Sequence, residues 1–233
     1  MARLSIIMPV LDEGEAIAGA LDALAELRGL GVEIIVVDGG SQDATVQRAR
    51  LRADHVLSAP RGRAVQMNAG AAKAGGDVLL FLHADTRLPR EAERLVLDGL
   101  ARSGQESPHD WGRFDVTIAG RHPMLRLVAF MMNLRSRVTG IATGDQAIFV
   151  KRAAFDAAGR FPEIPLMEDI ALTKRLKRTS RPLCLRERAI TSGRRWEKHG
   201  MFRTIWLMWR LRLAYFFGAD PAALARRYRY GGG

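Results

Sequence analysis

Stretches of consecutive apolar residues alternate with amphipathic stretches along the first hundred residues. The apolar stretches 4–8, 32–37, 55–57 and 78–82 have the composition of strands that are buried on both faces of a parallel sheet. Between them, apolar residues at helical spacing predict helices over about 12–27, 43–52 and 64–74. This alternation predicts an α/β fold with helical crossovers between parallel strands.

Acidic residues directly follow three of the predicted strands. Asp12 with Glu13, Asp38 and Asp85 stand where the first, second and fourth strands end. Since the carboxyl ends of parallel strands meet at one edge of a sheet, these acids outline a ligand crevice. His83 and Asp85 have the same parity and are predicted to project to the same side. A carboxylate at this edge can hold a divalent metal ion against a phosphate.

A purely structural role for the acid of the fourth strand is the alternative. Asp85 and Thr86 could cap a helix that is opened by Pro89. Two common nucleotide motifs are missing from the chain. No Gly-x-Gly-x-x-Gly follows the first strand, which disfavours a dinucleotide site, and no Gly-Lys-Ser/Thr occurs, which excludes a P-loop.

The regular alternation stops after Ser103. From there the pattern predicts a polar loop at 104–110, strands at 111–118, up to Val150 and at 183–190, and helices at 123–139 and from Glu168 onward. We therefore divide residues 1–200 into a nucleotide-binding half, 1–103, and an acceptor half, 104–200. Residues 201–230 are predicted to form a C-terminal amphipathic helical segment.

The helix predicted over 201–217 carries large apolar residues on one arc: Phe202, Ile205, Trp206, Trp209, Leu213, Phe216 and Phe217. Arg203 and Arg210 border this arc. One interpretation is a helix that faces the protein core. The other is a helix that lies in a membrane interface, where aromatic residues and flanking cations are favoured. The basic, Met-rich helix 123–139 would extend such a surface.

The chain is strongly basic. Its 233 residues include 36 Lys and Arg against 25 Asp and Glu, which gives a net charge of +11. Such a balance predicts anionic partners, namely nucleic acid, an anionic membrane surface or phosphorylated ligands. The arginines are scattered and no nucleic-acid-binding module is recognisable, so we expect no nucleic-acid partner.

The single cysteine, Cys184, excludes an intrachain disulfide and a Cys-rich zinc site. The acids and Pro9 close to the start of the chain argue against a signal peptide. We also expect no membrane span, because the longest apolar stretches contain arginines.

Several motifs together resemble family 2 glycosyltransferases of the GT-A fold. They are Ile6-Ile7-Met8-Pro9-Val10-Leu11-Asp12-Glu13, Val36-Val37-Asp38-Gly39-Gly40-Ser41-Gln42-Asp43 and His83-Ala84-Asp85. Gly144-Asp145-Gln146, Glu168-Asp169 and Arg195-Trp196 extend the resemblance over about residues 3–200. The segments 61–63, 66–71 and 165–169 are similar to a small bacterial subgroup that is associated with radical-SAM proteins and arsenosugar biosynthesis.

The resemblance implies a GT-A fold with a Rossmann-like, mostly parallel sheet flanked by helices. It also implies inverting transfer of a sugar from a nucleoside-diphosphate sugar of the UDP or GDP type, with Mn²⁺ or Mg²⁺ as cofactor. Asp85 would bind the metal, and His199 would be an additional ligand. The implied donor site consists of Pro9, Val10, Leu11, Glu13, Asp38, Gly40, Arg61, Arg63, Asn68, His83 and Ala84.

The resemblance further implies that Asp169 is the general base, with Glu168 as the less favoured choice. The implied acceptor side comprises Asp145, Gln146, Arg195 and Trp196, and the acceptor would be a small molecule or a lipid. The sequence departs from the family at His83, which stands where the Asp-x-Asp motif has its first acid. Imidazole at this position favours Mn²⁺ over Mg²⁺. Ser192 stands where the Gln-x-x-Arg-Trp motif has its Gln.

We therefore expect a glycosyltransferase of the cytoplasm, acting in solution or as a peripheral protein at the inner face of the membrane. Two other functions are left open by the sequence. A nucleotide-sugar-binding protein without catalytic activity is compatible with the departure at His83, and a basic nucleic-acid-binding protein is suggested by the charge alone. The sequence does not predict an oligomeric state.

Overall fold

A computed structural model describes residues 3–101 and 109–230 of the protein, except the side chains of Arg195, Lys198, His199, Arg229 and Tyr230. The described residues form one eight-stranded sheet with the strand order β3-β2-β1-β4-β7-β6-β8-β5. The strands are β1 Leu4–Val10, β2 Glu33–Asp38, β3 His55–Ser58, β4 Val78–Phe81, β5 Thr86–Arg87, β6 Trp111–Ala119, β7 Phe149–Lys151 and β8 Leu183–Ser192.

Helices cover the sheet and extend the chain beyond it. They are α1 Ile17–Asp22, α2 Ala25–Gly29, α3 Thr45–Arg50, α4 Arg63–Lys73, α5 Ala92–Ala101, α6 Met124–Thr139, α7 Arg152–Ala157, α8 Glu168–Leu176, α9 Arg194–His199, α10 Met201–Phe216 and α11 Pro221–Tyr230. A short 3-10 turn, Gly144–Gln146, precedes β7.

The first four strands form a parallel sheet, as the alternating pattern predicts. In β1, Ile6 lies between Ile34 of β2 and Leu80 of β4. Neighbouring residues of β1 belong to opposite sides of the sheet, because side chains alternate along a strand. Ile6 packs with residues of α1 and α5, whereas Ile7 packs with residues of α4 and α8. Both faces are thus buried, which explains why these strands are continuously apolar.

The second half adds antiparallel pairs to the sheet. β7 pairs antiparallel with β4 and with β6, and β8 runs parallel to β6. The predicted elements of this half are present, with ends that differ by a few residues. The predicted first helix is broken into α1 and α2, and the sequence pattern did not predict β5, α7 or α9. Most of the predicted polar loop lies outside the described residues, since 102–108 are not among them.

The structure decides the role of the chain after β4. The alternative of a helix cap at Asp85 and Thr86 is wrong, because Thr86 begins β5, which pairs with β8. The next helix, α5, begins only at Ala92. Asp85 is an exposed residue beyond the carboxyl end of β4, and its carboxylate does not cap a helix.

The C-terminal helices pack against the segment that leads into α8. Leu211 of α10 and Leu224 of α11 form a buried cluster with Met167. The interpretation of α10 as a core-facing helix is wrong for its aromatic arc, because Trp206 and Trp209 are 66% and 69% exposed. Within residues 3–101 and 109–230, no helix combines the length and the apolar character that crossing a membrane requires.

Candidate active site

The loops after β1 and β2 are held together by hydrogen bonds between backbone and side chains. Three consecutive backbone N–H groups, those of 12–14, donate to side-chain oxygens of the second loop, namely Ser41, Thr45 and Asp43, at 2.8–2.9 Å. In return, the N–H of Gln42 donates to the carboxylate of Asp12 at 2.9 Å. The two loops therefore form one rigid edge at the carboxyl ends of β1 and β2.

Asp38 is buried at this edge and accepts hydrogen bonds within its own loop. The N–H groups of Gly40 and Ser41 donate to its carboxylate, as does the Ser41 hydroxyl. These bonds fix the orientation of the carboxylate at the mouth of the crevice. The carboxylate is already engaged by these donors, so the predicted contact of Asp38 with the donor base stays a prediction.

Gln66 is a residue that the sequence-based site prediction missed. Its buried side chain donates to the carbonyl oxygens of Val10 and Val37, both at 2.8 Å. One amide group thus ties the ends of β1 and β2 to α4. A polar residue on the apolar face of a predicted helix was the available sequence signal, because a buried amide requires hydrogen-bond partners.

Two residues predicted to bind the donor have different surroundings. Asn68 donates to the Phe161 carbonyl at 2.9 Å and accepts the Phe161 N–H at 3.1 Å. These contacts give Asn68 a structural role, and we assign it no contact with the donor. Arg61 is exposed in the loop before α4, so its predicted contact with the diphosphate stays a prediction.

His83 connects the end of β4 to the 3-10 turn. Its Nδ1 atom lies 3.5 Å from Oδ1 of Asp145. The imidazole ring packs over Gly144, where an added Cβ would collide with the ring. His83 is therefore a partner of an acid in the acceptor half. Ala84, between His83 and Asp85, is buried.

Glu13 lies close enough to Asp85 for the two charges to interact. Burial raises the pKa of Glu13, the charge of Arg194 lowers it, and that of Asp85 raises it again, with a net shift above its ordinary value. The first and the fourth strand ends are thus brought to the same part of the crevice, as the parallel topology predicts. Pro9, Val10 and Leu11 lead into this region at the end of β1.

Glu168 and Asp169 begin α8, and the charge of Arg63 acts on Glu168. The carboxylate of Asp169 accepts the N–H of Gly144 at 2.9 Å and that of Ile170 at 2.7 Å. Glu168 is buried, and burial together with the charge of Asp169 raises its pKa above the ordinary value although Arg63 opposes the shift. The two neighbouring acids therefore differ in burial and in bonding.

Arg63 and Asp145 are accessible to solvent although protein surrounds them on most sides, which is the geometry of a cleft. Burial lowers the pKa of Arg63, but Glu168, Asp145 and Asp169 outweigh this effect, so the net pKa is raised. Burial raises the pKa of Asp145, but the hydrogen bond and charge of His83 outweigh it, so the net pKa is lowered. The cleft thus combines the cation of Arg63 with the ionised carboxylate of Asp145.

Arg135 of α6 and Arg212 of α10 also face this cleft, and the sequence-based site prediction contained neither. Burial and the charge of Arg212 lower the pKa of Arg135 to about 10, with Asp169 opposing, so that the guanidinium is charged at neutral pH. Burial likewise lowers the pKa of Arg212, against the charges of Asp169 and Asp145. Two cations from different helices therefore lie near the candidate base.

The remaining predicted residues of the acceptor side are packed within the protein or lie outside the described side chains. Gln146 is fully buried, and its amide contacts the N–H of Thr143 and Oδ1 of Asn133. Trp196 packs on a hydrophobic cluster of β6 and α6. These contacts give Gln146 and Trp196 structural roles. The side chains of Arg195 and His199 lie outside the described part of the chain.

The side chains that could ligate a metal suit an ion that is shared with a substrate. Among the described side chains, which do not include that of His199, no group of three His, Cys, Asp or Glu residues could hold a metal. Mg²⁺ and similar ions are commonly held by one or two carboxylates together with substrate phosphates and water. The exposed carboxylate of Asp85 fits such a site, whereas a cage made of protein ligands alone does not fit these residues.

Comparison with known proteins agrees with this geometry. Residues 5–106 match the family described as Glycosyl transferase family 2. The chain is 30% identical over 171 residues to a PGL/p-HBAD biosynthesis glycosyltransferase of Mycobacterium tuberculosis, and the same values hold for a Mycobacterium bovis relative with this description. The match covers 67% of this chain and 62% of the length of these relatives.

Solved structures share the fold. S. aureus TarS in complex with UDP has a TM-score of 0.65 at 19% identity, covering 82% of this chain and 60% of that one. The mannosyltransferase PcManGT from Pyrobaculum calidifontis, in complex with GDP-Man and Mn²⁺, has a TM-score of 0.63 at 18% identity, covering 99% and 70%. The chain therefore has the GT-A glycosyltransferase fold, and its first half carries the sequence signature of family 2.

Proposed function

We propose that this protein is a metal-dependent glycosyltransferase that moves a sugar from a UDP- or GDP-type nucleoside-diphosphate sugar to an acceptor hydroxyl. The observation that carries the proposal is the bridge across the crevice. Asp169 binds the Gly144 N–H at 2.9 Å, and Asp145 of the same turn pairs with His83 at the end of β4. These contacts connect the candidate base to the segment after β4 that carries Asp85, which supports the proposal.

The proposed reaction is a single displacement with inversion. The acceptor oxygen bonds to the anomeric carbon while the bond to the donor diphosphate breaks, and the nucleoside diphosphate leaves with the bonding electron pair. Asp169 takes the proton of the acceptor hydroxyl, which is the role of a general base. The Arg63 guanidinium, at the start of α4, faces the cleft and offers hydrogen bonds and positive charge to the diphosphate.

The proposed cofactor is Mn²⁺ or Mg²⁺, with Asp85 as its proposed protein ligand and His199 as the predicted second one. When bound, the ion neutralises charge that develops on the leaving diphosphate. Support comes from PcManGT with its GDP-Man and Mn²⁺, and from the glucosyl-3-phosphoglycerate synthase of Mycobacterium tuberculosis in complex with Mn²⁺ and UDP, which has a TM-score of 0.56 at 17% identity.

Glu168 is the second candidate for the base. A base works best when its pKa lies near the working pH, and the pKa of Glu168 is raised by its burial and by the charge of Asp169. Asp169 is favoured because its side chain is only partly buried, whereas that of Glu168 is 5% exposed. An acceptor hydroxyl reaches Asp169 more directly.

The narrower resemblance to the radical-SAM-associated subgroup stays a prediction. It rests on short segments, and one residue of them, Asn68, has its side chain bound to Phe161. We accordingly leave the sugar and the biological pathway unassigned. A screen of donors with detection of released nucleoside diphosphate identifies the sugar directly.

Thermal unfolding with nucleotide sugars tests the proposal. UDP-GlcNAc or GDP-mannose with Mn²⁺ should raise the melting temperature, because a ligand that binds only the folded state stabilises it. The shift should shrink when EDTA replaces Mn²⁺. No shift with any UDP- or GDP-sugar contradicts the proposal. A shift without release of nucleoside diphosphate in the presence of acceptors identifies a binding protein instead, and salt-sensitive binding of DNA without any donor effect supports the nucleic-acid alternative.

A further inference from the structure

Helix α6 exposes an apolar face. Leu127, Phe130, Met131, Leu134 and Val138 are spaced by three or four residues, which places them on one side of the helix, and they are 43–78% exposed. The opposite side of α6 is buried against β6 through Leu125, Ala129 and Met132. Two opposite sides of α6 are therefore apolar. Only one of them has a partner within the described part of the protein.

Helix α10 has the same property. Phe202, Trp206, Trp209, Leu213 and Phe216 lie on one side of this helix and are 60–79% exposed, while Thr204 and Leu211 are buried on the other side. Scattered apolar residues on a surface are ordinary, but contiguous apolar patches of this kind mark contacts with a partner or a membrane. We call these ten exposed residues of α6 and α10 the docking face.

The two helices are neighbours. Met201 at the start of α10 belongs to the same buried cluster as Leu125 and Ala129 of α6. Farther along, Arg135 of α6 and Arg212 of α10 are close enough for their charges to act on each other. The two exposed stripes are thus parts of one side of the molecule, next to the cleft.

The composition of the docking face identifies an anionic bilayer as its occupant. Two tryptophans stand within it, and the exposed Arg203 and Arg210 lie along one border of the α10 stripe. Trp at the headgroup level, cations at the border and an apolar stripe between them are the features of a helix that lies in the interface of a membrane. In contrast, pairing with a second copy brings two basic borders of a chain with net charge +11 together.

The edge of the docking face that adjoins the cleft carries an unsatisfied cation. The Nε and Nη2 atoms of Arg135 are buried and have no hydrogen-bond partner among the side chains and backbone groups that the structure describes. A buried guanidinium without a partner is costly, so this site favours an anion. Arg212 adds a second positive charge, and both arginines are near Asp169.

We propose that the docking face binds an anionic membrane, and that Arg135 and Arg212 hold the phosphate of a lipid acceptor whose hydroxyl is presented to Asp169. The role of the lipid as acceptor rests on the glycosyltransferase function proposed above, whereas the membrane contact does not. Arg63, at the start of α4, is assigned to the donor diphosphate in the proposed reaction, which leaves the arginines of α6 and α10 for the acceptor. A lipid that enters from a bilayer on the docking face reaches these arginines first.

Co-sedimentation with vesicles tests the membrane contact. The unsubstituted protein should pellet with vesicles that contain phosphatidylglycerol and stay in solution with pure phosphatidylcholine, with binding that falls as salt rises. Replacing both Trp206 and Trp209 by Ser should reduce the bound fraction by about tenfold or more, since each exposed Trp contributes buried area in the interface. Leu51→Ser, at a residue that is 77% exposed on another part of the surface, is the matched control.

Equal pelleting of the Trp206→Ser, Trp209→Ser variant and the unsubstituted protein overturns the docking face. A dimer in sedimentation velocity that dissociates in the same variant, without vesicle binding by the unsubstituted protein, also overturns it and identifies a second copy as the occupant. Thermal melts confirm that the variants are folded before these comparisons are made.

A comparison of two ligands that each carry a phosphate tests the acceptor site. Dihexanoyl phosphatidylglycerol and glycerol 1-phosphate carry a phosphate of the same chemistry, and calorimetry compares their affinities for the Mn²⁺-loaded protein. We expect the lipid to bind more tightly. Replacing both Arg135 and Arg212 by Gln should weaken its binding by about tenfold or more, because the double variant loses two positive charges that can donate hydrogen bonds to the phosphate. Arg50→Gln, at an exposed residue of α3, should have no effect.

Equal affinity for both phosphates overturns the lipid assignment, and unchanged affinity in the double variant overturns the subsite. Arg135→Lys keeps the positive charge and should restore part of the binding if the arginines act through their charge. The rise in melting temperature with nucleotide sugars is measured in parallel on the unsubstituted protein. Its absence alongside normal lipid binding refutes the glycosyltransferase function and leaves the membrane contact standing.

Discussion

The carboxylate of Asp169 accepts the backbone N–H of Gly144 at 2.9 Å. This hydrogen bond connects the first turn of α8 to the 3-10 turn that carries Asp145, whose carboxylate is next to His83. Because the two residues lie 25 positions apart in the chain, the bond depends on the fold of the acceptor half. It fixes where the candidate base stands relative to the end of β4.

Replacing the candidate base should remove catalysis and spare donor binding. In Asp169→Asn, the side chain keeps an oxygen that can accept the Gly144 N–H but can no longer take a proton. We expect transfer to fall by about 10²–10⁴-fold, with the donor-dependent melting shift retained. The measurement is release of nucleoside diphosphate in the presence of acceptor. Asp98→Asn, at an exposed residue of α5, is the control. Full activity of Asp169→Asn with loss of activity in Glu168→Gln assigns the base to Glu168.

Stability should depend on pH through Glu168. Burial raises its pKa above the ordinary value of 4.5, so the stability that the protonated form contributes is fully present below pH 4.5 and is lost as the pH rises through the folded pKa. Glu168→Gln removes this loss. We therefore expect the variant to unfold at higher urea than the unsubstituted protein at pH 8, with the difference vanishing below pH 4.5. Glu163→Gln, at an exposed residue, should show no such dependence. A difference that is constant with pH argues against this account.

Metal-dependent donor binding should require the acid beyond the carboxyl end of β4. Outer-shell partners of metal ligands already contribute about 10–100-fold to metal affinity. Loss of the direct ligand in Asp85→Asn should therefore lower the affinity for Mn²⁺ by at least about 10-fold. Titration of Mn²⁺ at saturating nucleotide sugar, followed by melting temperature, gives the affinity. Asp77→Asn is the matched control, because Asp77 stands at the opposite end of the same strand. An unchanged Mn²⁺ titration in Asp85→Asn removes Asp85 from the metal site.

The buried amide of Gln66 should be important for stability. Gln66→Leu leaves the carbonyl oxygens of Val10 and Val37 without the hydrogen bonds of 2.8 Å that they accept. An unsatisfied buried polar group costs about 1–3 kcal/mol, so we expect a loss of about 2 kcal/mol or more in the free energy of unfolding in urea. Gln47→Leu changes an exposed glutamine of α3 and should be nearly neutral. Equal stabilities of the two variants contradict a role of Gln66 in holding the strand ends.

The local pattern of the sequence was sufficient to predict the parallel half of the fold. A strand that is buried on both faces must be apolar at every position, and such runs are visible without any knowledge of the contacts they make. The acids Asp38 and Asp85 are found by the same logic, because Asp38 is the last residue of β2 and Asp85 lies shortly after the end of β4. The topology then brings the strand ends together, and the charge of Asp85 acts on Glu13 as expected.

Contacts between distant residues could not be predicted in this way. Gln66 and Val10 are 56 positions apart, and the pairing of His83 with Asp145 joins the two halves of the chain. Arg135 and Arg212 come from helices that the pattern predicted correctly, but no local feature indicates that two basic residues will meet near Asp169. The interpretation of Asp85 as a helix cap failed for the same reason, since pairing of β5 with β8 decides where the next helix begins.

The sequence by itself thus determined the succession of strands and helices along the first half of the chain, the acids near the strand ends and the amphipathic character of α10, because each depends on the spacing of residues along the chain. The tertiary structure decided which side of α10 is buried, how the two loops of Asp12 and Asp38 are joined, and which cations face the candidate base. These features depend on the burial of groups that are far apart in the chain, and burial is set only when the whole core has packed.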